Sequence, residues 1–229
     1  MADETTTAEE AAPEAGPRDD EREAVLAVFS EHLGDALVAS HVRPGQGLWI
    51  RVETSAWATA AEVARDKAGF RFFDFLSAID WLPSPFGRYE DATTDVEFPP
   101  PVPDRSAAVP GLTGGDTRFQ VLAAVARVGS GLRVLLKADV PDDDPVVPTW
   151  SAVYSGALWH EREAWDMFGI RFDGHPDLRN IYLPTGFEGH PLRKDFPLLA
   201  RVVKPWPGIV DVEPMPGGDD DEPAEEAEG

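Results

Sequence analysis

The chain is organised around the stretch from Leu158 to Leu198, which reads LWHEREAWDMFGIRFDGHPDLRNIYLPTGFEGHPLRKDFPL. It holds three of the five histidines and two copies of a Gly-His-Pro tripeptide, at 174–176 and 189–191. Proline fixes φ and bars the preceding residue from the α region, so each of these histidines is expected in extended or turn backbone. The stretch therefore predicts a short helix followed by a rigid, irregular and charged segment that wraps over another surface.

The acidic residues are concentrated at the two ends of the chain. The formal net charge is −22 over 229 residues. Residues 1–20 contribute −6 and residues 217–229 contribute −7, which leaves −22 + 13 = −9 for the middle. Because such ends cannot bury apolar surface, disordered acidic tails are predicted at 1–20 and 211–229. The strong negative charge argues against a nucleic-acid-binding protein, which needs a basic face.

The chain contains no cysteine. This excludes disulfides, thiolate zinc sites, cysteine-ligated iron–sulfur clusters and cysteine nucleophiles. The first residues lack the basic and apolar regions of a signal peptide, and no apolar run approaches the ~20 residues that span a bilayer. Any contact with a membrane is therefore expected through a partner protein.

The hydrophobic patterns before the key stretch predict an α+β domain over 21–168. The expected architecture is a mixed or antiparallel sheet with helices packed on one face, followed by an extended C-terminal segment. In the strand at 70–82, the three residues Phe72, Phe73 and Phe75 are predicted to lie in the core. The predicted helices cover about 21–33, 56–68, 149–154 and 157–168, and the predicted strands 36–42, 48–52, 70–82, 118–128 and 132–140.

Two further segments have a composition of their own. Prolines and glycines interrupt residues 83–117, which predicts an insertion loop, most simply a disordered one. Residues 169–210 are predicted to form an extended segment that docks on another subunit, because arginine supplies bidentate contacts and aromatic side chains supply buried area. The basic residues of this segment are Arg171, Arg179, Arg193, Lys194, Arg201 and Lys204.

The helix at 157–168 carries a dense ionic cluster that has two interpretations. The favoured interpretation is a structural network, in which Arg162 pairs with Asp166 at i,i+4 and keeps the neighbouring carboxylates ionised. The alternative is a stand-alone hydrolase that uses His160, Glu161 and Glu163 for acid–base chemistry.

The three histidines of the stretch could also bind one metal. His160, His175 and His190 follow one another at intervals of fifteen residues across loops, which is a weak metal signal. The favoured interpretation is that these are histidines in proline turns that form hydrogen bonds with the backbone. We therefore assign no catalytic, cofactor-binding or metal-binding residue.

The spacing of charged and aromatic residues in the stretch resembles the signature of a known family. Glu161-Arg162-Glu163, then Asp166 and Met167-Phe168, then His175, Arg179 and Ile181, is similar to the C subunit, the 30-kDa subunit type, of type-I NADH–quinone oxidoreductase (respiratory complex I). Residues 144–148 and 189–198 also resemble that family, and Asn180 and Ala124 depart from its common pattern. The signature and interface residues so identified are Glu161, Arg162, Glu163, Asp166, Phe168, His175, Arg179, His190, Arg193, Lys194 and Asp195.

The resemblance implies a scaffold subunit of the peripheral arm of a respiratory complex, on the cytoplasmic face of the cell membrane. It implies that FMN, iron–sulfur clusters and quinone belong to partner subunits, that this chain holds no cofactor, and that the isolated chain is inactive. The implied partners are the D, B and I subunits of the same complex. The equivalent subunit of a membrane-bound hydrogenase, or of a dehydrogenase that oxidises reduced coenzyme F420, is the related alternative.

Overall fold

The first helix, α1 (Asp20–Leu33), begins after a capping aspartate. The carboxylate of Asp19 accepts a hydrogen bond from the backbone N–H of Arg22 at 3.1 Å, which satisfies one of the unpaired donors of the first turn. Gly34 ends the helix with φ 52°. These features are seen in a computed structural model of the protein, which describes residues 19–83, 104 and 108–196.

Five strands form one mixed sheet. They are β1 (Leu37–Arg43), β2 (Gly47–Val52), β3 (Phe72–Asp80), β4 (Phe119–Arg127) and β5 (Leu132–Val140). Their order across the sheet is β1-β2-β5-β4-β3. The hairpins β1–β2 and β4–β5 are antiparallel, as is the pair β3–β4, whereas β2 and β5 run parallel. The predicted α+β class with a mixed sheet is confirmed.

The helices lie on one face of this sheet and enclose the core. They are α1, α2 (Trp57–Glu62) and α3 (Ala157–Phe168). The rings of Trp57 and Trp150 stack with centroids 4.5 Å apart, and the indole N–H of Trp150 donates to the carbonyl of Trp57 at 2.9 Å. This pair links α2 to the chain that leads into α3, and the predicted packing of helices on one face is confirmed.

The prediction that Phe72, Phe73 and Phe75 all lie in the core is wrong for two of them. A register shift between Phe73 and Phe75 pairs Phe73 with Val125 on the helix side and Phe75 with Ala124 on the opposite side. Phe72 is 51% exposed. A bulge of one residue sends the following side chains to the other face of a sheet, and the hydrophobic pattern alone did not reveal it.

Two predicted helices are shorter or absent. In place of one helix over 56–68, a 3-10 turn at Thr54–Ala56 leads into α2, and a π turn follows at Val63–Lys67. Residues 149–154 form turns. They follow β6 (Val146–Pro148), which pairs in parallel with β7 (Arg171–Asp173) in a second, two-stranded sheet. Strands of three residues are too short to show a period, so the sequence did not predict them.

Part of the predicted insertion packs on the sheet. The buried ammonium of Lys137 donates to the carbonyls of Pro110 and Gly114, at 2.7 and 2.8 Å, and holds this end of the loop in place. Residues 1–18, 84–103, 105–107 and 197–229 lie outside the described residues, and so do the predictions that fall on them. Among the described residues, none of the helices is long and apolar enough to cross a membrane.

Candidate subunit-docking site

The site is built on α3 and on residues 174–196, which we call the strap. Gly169 ends α3 in the left-handed region, at φ 73°. A Cβ atom there would lie 2.5 Å from Nε2 of His190 and 2.5 Å from the guanidinium of Arg193. Only glycine therefore allows both the turn and the close approach of the strap to the end of the helix.

The second Gly-His-Pro segment of the strap caps the C-terminus of α3. Nδ1 of His190 donates to the carbonyl of Asp166 at 2.8 Å, and the backbone N–H of Leu192 donates to the carbonyl of Met167 at 3.1 Å. Nε of Arg193 donates to the carbonyl of Phe168 at 2.6 Å. The last carbonyls of a helix have no partner within the helix, and here the strap supplies the partners and a positive charge at the negative end of the dipole.

Arg162 and Asp166 clamp the middle of the strap from two sides. The guanidinium of Arg162 donates to the carbonyls of Arg179 and Asn180, at 2.9 and 2.8 Å. One carboxylate oxygen of Asp166 accepts the backbone N–H groups of the next three residues, 181–183, at 2.7, 2.9 and 3.3 Å. The predicted ion pair between Arg162 and Asp166 is replaced by these bonds, because the strap offers each side chain backbone groups of opposite polarity.

Glu161 faces the interior, and its side chain is fully enclosed. Its two oxygens accept the hydroxyl of Thr149 at 2.5 Å and the backbone N–H of Trp150 at 2.6 Å. Burial raises the pKa of this carboxyl to about 7, and the two hydrogen bonds only partly oppose that shift. The expectation that Arg162 keeps Glu161 ionised is wrong, since the guanidinium of Arg162 is directed to the strap.

The three histidines of the stretch each bind a different backbone carbonyl. His160 bonds to Leu76 of β3 through Nδ1 at 3.1 Å, and His175 bonds to Leu158 of α3 through Nε2 at 3.1 Å. His190 bonds to Asp166, as described above. His160 also packs edge-on against Phe73, with centroids 5.3 Å apart. The favoured interpretation, backbone hydrogen bonding, is confirmed, and each imidazole bonds to a different part of the backbone.

An ion network that the sequence analysis missed anchors the end of the strap. Arg118 donates to both carboxylate oxygens of buried Asp80, at 3.0 and 2.7 Å, and to both oxygens of Asp195, at 3.0 and 2.8 Å. The N–H of Lys194 also donates to Asp80. Burial opposes the charge of Arg118, but the bonds with both aspartates raise its pKa. An acid on the core side of an otherwise apolar strand was the signal that could have identified Asp80.

The outward side of α3 and the strap carries large apolar side chains. Trp159 is 62% exposed and Tyr182 is 61% exposed. The guanidinium of Arg162 lies over the ring of Trp159, 5.4 Å from its centroid. Arg179 is exposed and pairs with Asp177. On α3, Glu163 is half-buried and Phe168 is buried. We call the exposed set the aromatic face; it comprises Trp159, Tyr182, Phe187 and Leu192.

The arrangement defines a class of domain: a mixed sheet under one helical layer, closed by a strap. A chain of this fold occurs in an archaeal respiratory membrane complex, the membrane-bound sulfane sulfur reductase, with a TM-score of 0.58 and 19% identity. The match covers 90% of this chain and 100% of that one, and it shows the fold alone. Residues 50–202 match the family described as respiratory-chain NADH dehydrogenase, 30 Kd subunit. The chain belongs to this family.

Two relatives illustrate the similarity. The C subunit of the NADH-quinone oxidoreductase of Laribacter hongkongensis is 35% identical over 181 residues, which is 79% of this chain and 80% of the relative. The C subunit of the Thiobacillus denitrificans enzyme of the same name is 36% identical over 183 residues, which is 79% of this chain and 78% of the relative. The family resemblance that the signature suggested is confirmed.

Proposed function

We propose that this chain is a non-redox scaffold subunit of NADH–quinone oxidoreductase, which docks on the D subunit and supports electron transfer from NADH to quinone. In this proposal FMN, the iron–sulfur clusters and the quinone are held by partner subunits. The B and I subunits are further neighbours, and the membrane is reached at its cytoplasmic face through the complex. The isolated chain is inactive.

The observation that carries the proposal is how the signature residues are used. Arg162, Asp166, His190 and Arg193 are engaged with backbone groups of this chain, which fixes the strap to α3. Bonds of this kind fix the shape of a surface, and they occupy the polar side chains that a catalytic site would need free. The signature is therefore best understood as the means of presenting the strap, and with it the aromatic face, in one conformation.

The aromatic face has the composition of a protein interface. Tyrosine, tryptophan and arginine are enriched among residues that dominate binding energy, and they act best when a partner covers them. Trp159 and Tyr182 are large and exposed; Trp159 lies on α3, and Tyr182 lies on strap backbone that is held by Arg162 and Asp166. A fixed backbone lowers the entropic cost of association, which supports docking through this face.

The hydrolase alternative does not fit the geometry. A general acid or base must reach the proton that it transfers, within ~3 Å or through one water. The side chain of Glu161 has no exposed surface, and its oxygens are already bonded to Thr149 and Trp150. His160 is held between α3 and β3 by its bond to Leu76. These contacts favour structural roles for both residues.

The test is purification of a tagged chain from detergent-solubilised membranes. Replacing Trp159 and Tyr182 by serine should reduce the yield of the co-purified D subunit at least tenfold, while quinone reductase activity per assembled complex stays unchanged. Val128→Ser, at an exposed hairpin position, is the matched control. Full assembly with lost quinone reduction would contradict the proposal. Hydrogenase subunits or a coenzyme F420 dehydrogenase among the co-purified proteins would favour the related complexes instead.

A further inference from the structure

The face of the five-stranded sheet opposite the helices carries apolar side chains in its centre. We call it the outer face. A sheet with one face on the core usually has polar residues on the other, in a regular alternation. Here the outward positions of four adjacent strands include large apolar side chains, next to the charged Arg51, Arg133, Lys137 and Asp139. The residues concerned are Trp49, Phe72, Phe75, Ile79, Leu122 and Leu135.

The strand register places these residues on the outer face. Trp49 is opposite Leu135, whereas the neighbouring pair of Ile50 and Leu136 points to the helices and is fully buried. Phe75 is opposite Ala124, beyond the bulge that separates it from Phe73. Phe72 is 51% exposed, and the other five side chains are partly exposed. No described helix packs on this side of the described sheet, and the loop that Lys137 holds lies at one end of it.

The apolar area is comparable in size with the largest apolar patch of a typical single domain. It spans three strand spacings, ~14 Å, and about six residues along β3, ~20 Å, which is roughly 300 Å². Apolar patches of this size on a single chain often mark a binding site. The loop held by Lys137 lies at one end of the same face, and it adds exposed Val109 and Leu112.

Two arginines, Arg43 and Arg133, lie at the border of this area. The guanidinium of Arg43 lies over the ring of Trp49, 5.8 Å from its centroid. The guanidinium of Arg133 lies 5.6 Å from the centroid of Phe75 and pairs with Asp74 at 2.7 Å, where both side chains are largely exposed. An apolar centre with arginines at its border complements a surface with an apolar centre and carboxylates at its border.

We infer that the outer face is a second docking surface, which takes another subunit of the complex through an apolar patch bordered by carboxylates. The inference rests on the proposed function only because it assumes that the chain works inside that complex. The outer face is on the opposite side of the sheet from α3. The chain would then be held between two neighbours, one on each side of its sheet.

The test is photocrosslinking in the assembled complex. Phe72 is replaced by p-benzoylphenylalanine, which keeps an aromatic ring at an exposed position, and Glu31 of α1 is replaced in the same way as a control on the helical side. Irradiation of purified complex should join position 72 to another subunit, in a peptide that contains Asp or Glu. Arg133→Glu should reduce that crosslink at least threefold while the complex retains all of its subunits.

The other outcomes each overturn the inference. A crosslink to residues 84–107 would show that this chain covers its own outer face, and a crosslink to a second copy would show self-association. A yield no higher than that at Glu31 would show an uncovered face. In all three cases the proposed function stands if the D subunit still co-purifies. If the tagged chain brings down no other subunit, the proposed function fails and the inference fails with it.

Discussion

The carboxylate of Glu161 lies 4.0 Å from Nε2 of His175, and neither side chain is open to solvent. Nδ1 of His175 accepts the backbone N–H of Asp177, so the proton of a neutral ring resides on Nε2, which donates to the carbonyl of Leu158. The acid and the base thus share one enclosed site while each is bonded to other groups. This arrangement gives the domain a titratable group in its interior.

Stability should fall as pH rises from about 4.5 to about 7, because burial raises the pKa of Glu161 to about 7 from an ordinary value of 4.5. The folded chain holds this proton more tightly than the unfolded chain. The stabilisation is therefore complete below pH 4.5 and is lost as the pH rises through about 7. The loss is at most about 3 kcal/mol. In Glu161→Gln it should disappear. Urea unfolding of both chains at pH 5 and pH 8 measures it, and equal pH dependence in both would contradict the assignment.

Asp166→Ala should release the middle of the strap. The change leaves the three N–H groups of residues 181–183 without their acceptor, and the expected loss of stability is about 2–3 kcal/mol. Amide hydrogen exchange at 181–183 should become faster in this variant. Glu163→Ala, on the same helix and half-buried, should change stability by less than about 0.5 kcal/mol. Unchanged exchange at 181–183 in Asp166→Ala would show that other contacts hold the strap.

Gly169→Ala should separate the strap from the end of α3. The backbone has φ 73°, and the added Cβ would meet His190 and Arg193 at 2.5 Å. The expected cost is about 1–3 kcal/mol. Gly186→Ala is the matched control, because a Cβ there has no neighbour within 4 Å. Limited proteolysis within the strap should accelerate for the first variant alone, and similar rates for both would count against a close approach at Gly169.

Arg118→Ala should be among the most damaging single changes. It leaves the carboxylate of Asp80, which has no exposed side-chain surface, without its cation, and loss of one partner of a buried pair costs about 3–5 kcal/mol. Arg171→Ala removes a pair with Asp144 in which both side chains are mostly exposed, so its effect should stay below about 1 kcal/mol. Thermal or urea unfolding of the two variants gives the comparison. Equal effects would mean that Asp80 finds another donor.

Most helices and strands could be predicted where a capping residue, a turn or a hydrophobic pattern marks their ends. Asp19 and Gly34 mark the ends of α1, and the Gly-Ser-Gly turn at 129–131 between two apolar runs gives the bounds of β4 and β5 to within a residue. The bulge in β3 and the three-residue strands of the small sheet could not be predicted, because neither leaves a period in the sequence. Tertiary pairing, which sequence spacing does not encode, decided both.

The candidate site could also be predicted only in part. The importance of the stretch at 158–198 and its family resemblance came from motif spacing. The actual partners of its charged residues did not, since Arg162 and Asp166 bind backbone that lies about fifteen residues away along the chain. Asp80 and Arg118 were missed because they lie 38 residues apart, at the end of β3 and just before β4. The charge pattern of a single helix predicts pairs between side chains of that helix. Here the backbone groups of residues 179–183 bind these side chains instead.

The capping of α3 by residues 190–193 also bears on how the polypeptide matures. During synthesis the N-terminal part of a chain emerges from the ribosome first. The carbonyls of Asp166, Met167 and Phe168 must therefore wait for His190, Leu192 and Arg193 before they gain the partners described above. A nascent chain, or a product cut short before Gly189, would carry a helix with a frayed end, and it would be a natural substrate for chaperones and proteases.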